Sequence, residues 1–118
     1  ILARLAGLRE RALAVHTRIS SDGALKAERR AHRALVRARG RWEEAKLDAG
    51  GFAILWSLME REGELVSRAA LRDALAAVLG REPEAGTVLR RLAALKKALA
   101  HWPGQIKSVR GGFYRLLS

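Results

Sequence analysis

Between Ala85 and Leu116 the chain carries Arg90, Arg91, Lys96, Lys97, Lys107, Arg110 and Arg115, and after Glu84 it has no acid. Cations gathered without counter-charge are suited to holding a polyanion, the electrostatic footprint of a nucleic-acid reader. Val88, Leu92, Leu95 and Leu99 recur at steps of four, three and four, which puts them on one stripe of a helix. The opposite face is then Arg90, Ala93, Ala94 and Lys97. Its cations can reach phosphates or guanine edges, and its methyl groups permit close approach and contact with thymine methyls. A solvated surface helix shows the same pattern, so the helix alone does not separate the two readings.

The next residues do more. Gln105 to Val109 alternate polar and apolar, Gly111-Gly112 supplies a tight turn, and Phe113 to Leu117 can pair back as a second strand with Arg110 at the tip. The run KSVRGGFYRL resembles the wing of the OmpR/PhoB-type winged-helix family, whose pattern is basic, Ser/Thr, Val, Arg, Gly, two residues, Tyr, Arg, Leu.

The resemblance extends upstream to about Leu47. Asp48 is an N-cap candidate, and Leu47 and Phe52 are spaced for a hydrophobic staple. Asp48 stands at the family's Thr position and Gly51 at its Glu position, so the capping box is lost while the staple remains. Leu65-Val66 reads as a short strand, Ser67 as the cap of a second helix using Leu71, Leu75, Val78 and Leu79, and Gly80 to Gly86 as a connecting loop. In some members of the family that loop faces RNA polymerase. The resemblance implies a DNA-binding domain whose third helix enters the major groove while the wing arginine reaches the minor groove. Thr87 and Val88 match the family's opening Thr-Val, Lys96 and Lys97 its later basic positions, and Ser108, Arg110 and Tyr114 its wing. Gly86 replaces a usual Arg, Arg90 a usually apolar residue, and Ala93 and Ala94 stand where relatives often carry arginine. No sequence preference can therefore be copied from a relative.

These elements need a scaffold. The 118 residues allow one domain plus an appendage, and the net charge of +11 favours an acidic partner. That excess is spread: residues 1–46 hold 12 Lys+Arg against 5 Asp+Glu, residues 47–118 hold 11 against 7. Ile1, Leu5, Leu8, Ala12, Val15 and Ile19 follow the spacing of a coiled-coil seam, read here as an oligomerisation surface. Ser20 to Gly23 break it, and Ala27, Ala31, Ala34, Ala38, Trp42 and Ala45 suggest a second helix from about Ala24 to Lys46, with Gly40 as a kink or end. Arg29, Arg30, Arg33, Arg37, Arg39 and Arg41 on it form either a second phosphate-tracking face or a solvated side. The chain begins at Ile1 rather than methionine, which suggests an upstream segment.

Other chemistry finds little footing. His16, His32 and His101 lack ligand spacing, no phosphate loop or nucleophile elbow is present, and the absence of cysteine excludes disulfides and thiolate metal sites. Trp42, Trp56 and Trp102 read as core or interface anchors. No apolar run spans a membrane, and a cytoplasmic protein without cofactor or metal, and not an enzyme, is expected.

The expected fold is mainly α: a helical hairpin over 1–46 for oligomerisation or docking, then a winged helix over 47–118. The expected function is a bacterial transcription regulator binding double-stranded DNA, with a recognition helix over 87–100 and a wing over 105–117. Its DNA-binding residues are Thr87, Arg90, Arg91, Ala94, Lys96, Lys97, Lys107, Ser108, Arg110 and Tyr114. Further expected partners are a second copy of the chain and RNA polymerase. The alternatives are a winged helix kept for protein assembly, and a non-specific DNA-binding protein.

Overall fold

The structure, a computed structural model, describes residues 16–118. It opens with a four-stranded antiparallel meander: β1 (Thr17–Ile19), β2 (Leu25–Glu28), β3 (Arg33–Ala38) and β4 (Arg41–Ala45). Three helices follow, α1 (Ala49–Glu60), α2 (Arg68–Leu79) and α3 (Thr87–Ala98), with β5 (Val66–Ser67) between the first two. β6 (Gln105–Val109) and β7 (Phe113–Leu117) close the chain, and the second sheet has the order β5-β7-β6.

The described part is an α/β fold with two antiparallel sheets, which corrects the mainly α expectation. The error lies in residues 24–46, which form strands and not a helix. Alanines three and four apart also satisfy a period of two once turns divide them. Leu25 and Ala27 alternate inward on β2, as do Ala34 and Val36 on β3. Arg39 and Gly40 have φ of 54° and 75°, and Ala38 pairs with Arg41 around them. Two consecutive left-handed residues make the two-residue turn that matches the twist of a hairpin, a conformation no helix interior contains. The arginines assigned to one helical face are thereby dispersed over the β2–β3 loop, β3, the β3–β4 turn and β4. Of the expected coiled-coil seam, Ile1, Leu5, Leu8, Ala12 and Val15 lie outside the described residues. Ile19 ends β1 and is 58% exposed, so no helical seam reaches it.

The rest follows the sequence patterning with two departures: Leu65 lies outside β5 and is exposed, and so is Val78 of α2, whose buried stripe is carried by Leu71 and Leu75. Asp48 caps α1, its Oδ1 accepting from the Gly51 amide at 2.8 Å, and Ser67 caps α2, its Oγ accepting from the Ala70 amide at 3.1 Å. α1 is central, packing on α2, α3, β1 and β7. Ile54, Leu55 and Leu58 of α1, Leu71 and Leu75 of α2, Leu95 of α3 and Leu116 of β7 are fully buried in one cluster, and Leu25, Ala27, Ala34, Val36 and Ala45 of the meander belong to that same cluster. Each large side chain so buried contributes on the order of 1.5–3 kcal/mol.

Polar ties join the meander to the helices. Arg18 and Arg29 lie over the Trp56 ring at 5.1 and 5.6 Å from its centroid, and His32 stacks on Phe52 at 5.3 Å. The Ser21 amide donates to Glu62 Oε1 at 3.0 Å.

Candidate nucleic-acid interface

α3 is amphipathic as its spacing predicts: Val88, Leu92, Leu95 and the capping Leu99 are buried, while Arg90, Ala93, Ala94, Lys96 and Lys97 are exposed. Its first residue is preceded by Gly86 at φ 84°, a conformation in which a side chain is disfavoured. That explains the glycine at this position. No side chain caps α3, and Thr87 is half-buried, its Oγ1 accepting from Arg90 Nη2 at 3.2 Å. Lys96 and Lys97 fall in the last turn, where they also complement the negative end of the helix dipole.

The wing forms over the expected residues, Gln105–Val109 and Phe113–Leu117. Lys107 pairs with Arg115, Ser108 with Tyr114 and Val109 with Phe113, leaving Arg110-Gly111-Gly112 as the connecting turn. Gly111 and Gly112 have φ of 90° and 81°. Lys107, Ser108 and Arg110 are exposed.

Two residues expected at the interface are held elsewhere. Tyr114 is buried, and its hydroxyl accepts from Arg68 Nη2 at 3.3 Å and Arg68 Nε at 3.4 Å. The Arg68 amide donates to the Gly112 carbonyl at 2.9 Å, so the start of α2 is stitched to the wing at two points. Arg91 turns towards α1 and donates from Nη1 to Asp48 Oδ2. Arg90, Ala94, Lys96 and Lys97 thus share the outward part of α3, with Thr87 at its start and Arg91 at its edge.

Sequence reasoning missed three positioning features. The first is this Asp48–Arg91 pair across 43 residues, which no local spacing encodes. The second is Arg72, whose Nη2 lies 3.2 Å from Glu82 Oε1 and ties α2 to the loop before α3. The third is the partner of Trp102: this anchor is buried just after α3, and its Nε1 donates to Asp22 Oδ2 at 3.1 Å. Gly104 lies against that indole with no room for a Cβ. Asp22 also accepts from Ser20 Oγ and from the Ala24 amide at 3.0 Å. Partial burial opposes its charge, but the hydrogen bonds from Ser20, Ala24 and Trp102 outweigh it and hold the carboxyl below its ordinary value.

No protein-family model matches the chain, and no curated protein matches it. Among solved structures, the DNA-binding domain of the response regulator AdeR in complex with an intercistronic region is similar, with a TM-score of 0.67 and 16% identity, over 80% of this chain and 95% of that one. The Klebsiella pneumoniae RstA DNA-binding domain in complex with the RstA box is similar with a TM-score of 0.61 and 26% identity, over 80% of this chain and 92% of that one. The fold is the one shared by OmpR/PhoB-type response-regulator DNA-binding domains, as the wing residues imply.

Proposed function

We propose that this chain, built on the winged-helix fold of response-regulator DNA-binding domains, binds double-stranded DNA as a bacterial transcription regulator. The observation that carries the reading is the exposed face of α3, where Arg90 and Lys97 flank Ala93 and Ala94 on a helix whose other side is buried. A helix presenting cations around small residues can lie close to base edges in the major groove. Arg90 and Lys97 are the base-reading side chains in this account, and Ala94 offers a methyl contact. Thr87, Lys96, Lys107 and Ser108 are assigned to phosphates in this reading, contacts that fix register without reading sequence. Arg110, at the tip of the wing, enters the neighbouring minor groove. Two solved relatives in fold are bound to DNA, which supports duplex DNA as the partner.

The Gly80–Gly86 loop, exposed at Arg81, Glu82 and Glu84, is the surface this reading offers to RNA polymerase. A cytoplasmic location follows from the proposed function. Genomic footprinting tests the reading: discrete protected sites are expected, whereas broad coverage would favour a non-specific binder and no protection an assembly module.

A further inference from the structure

The cations of α3 are not equivalent. Arg90, Lys96 and Lys97 have no carboxylate partner among the described residues, whereas Arg91 is paired with Asp48. No acid follows Glu84 in the sequence, so the counter-charge has to be brought to α3 from another element. Asp48 divides its two oxygens: Oδ1 closes the first turn of α1 through the Gly51 amide, and Oδ2 takes Arg91. Gly50 lies beside the pair: a Cβ there would stand in ordinary contact with Arg91 Nε at 3.5 Å but only 2.8 Å from Leu75 Cδ1, so this glycine serves the packing of α1 on α2.

The two side chains are 37% and 53% exposed. Exposed pairs of this kind contribute little to folding, so the fold does not depend on it. Its larger effect is on the surface field. Arg91 is one residue from Arg90, and without Asp48 its guanidinium would be another mobile cation beside the proposed DNA-binding face.

We propose that Asp48 is a positioning residue that withholds Arg91 from the DNA backbone and so limits the sequence-independent part of the affinity. The inference rests on the duplex-binding reading above. Each phosphate neutralised by a cation strengthens binding to all sequences alike and steepens its salt dependence. Holding Arg91 on Asp48 removes one such contact without touching Arg90 or Lys97.

Asp48→Asn isolates the charge, because Asn caps a helix about as well as Asp. Wild type, D48N, R91A and the double variant should be titrated with the footprinted duplex and a scrambled one between about 50 and 200 mM salt, after urea melts establish that each is folded. D48N is expected to bind both duplexes more tightly by the same factor. That factor should shrink about 3.5-fold across the salt range, the loss expected for one added phosphate contact at a slope near 0.9. R91A should bind like wild type, and the double variant should lose the gain. A gain that survives in the double variant would overturn the proposal, because Asp48 would then act by general repulsion and not through Arg91. So would a weakened R91A beside an unchanged D48N, since Arg91 would then reach phosphate despite Asp48. No change in any variant while wild type binds would make the pair structural only. Failure of all four proteins to bind any duplex would remove the DNA-binding reading itself, and this inference with it.

Discussion

Single side chains in this molecule divide between those that hold the reading elements and those free to meet a partner. Arg110 stands at the tip of an exposed hairpin, while Arg61 ends α1 and is exposed on a different element. Arg110→Ala should therefore weaken duplex binding more than Arg61→Ala in paired titrations, since a hairpin tip can enter a minor groove. Equal losses would mean that charge acts diffusely. Trp102 belongs to the holding class. Trp102→Phe removes the bond from its indole to Asp22, and urea unfolding should show a loss of about 1 kcal/mol for that bond, plus the packing lost with the smaller ring. Asp22 also gives the fold an acid sensitivity. Its folded-state pKa lies below its unfolded value near 3.8, so its contribution is present above that value and is lost as pH falls through the folded one. Asp22→Asn should flatten stability against pH below about 4 while leaving the trend at higher pH unchanged, as acid titrations of both proteins would reveal.

Elements show where pattern and structure part company. α3 was legible because its apolar stripe is unbroken over Val88, Leu92, Leu95 and Leu99, and the wing because alternation, a Gly-Gly turn and a family motif agree. Ser67 and Asp48 were legible as caps because a short polar side chain precedes an apolar run in each case. The meander was not, for a physical reason: its inward residues are largely alanine, its outward ones largely arginine and glutamate, and all of these favour helices. β4 buries only Ala45, so four of its five residues carry no inward signal. The deciding residues are Arg39 and Gly40, which form a hairpin turn where the pattern suggests a helix with Gly40 as its kink or end. The Asp48–Arg91 and Asp22–Trp102 contacts join distant elements, and no local spacing reports such partners. Gly40→Ala separates the two accounts of this segment. Nothing lies within 4 Å of a Cβ there, so the effect is on the backbone alone. Inside a helix the change would stabilise by about 1 kcal/mol. At φ 75° it should destabilise by about 1 kcal/mol, measured by urea unfolding.

At the scale of the whole molecule, one core supports both the meander and the winged helix, so α3 and the wing sit on a continuous scaffold. Leu92→Ala, which removes a buried α3 side chain, should cost about 2–5 kcal/mol in unfolding experiments and weaken DNA binding through the loss of that platform. The positive charge spread over the chain supplies attraction to any polyanion, and the proposed function assigns discrimination to the outward face of α3. The measurement that bears most directly on this is a salt series of Arg90→Ala and Lys97→Ala against the footprinted site and a scrambled duplex. If these residues read bases, each variant should lose about 1–3 kcal/mol more on the site than on the scrambled DNA. An equal loss on both duplexes, with the salt slope falling by about one, would show that they only neutralise phosphate and would contradict the account.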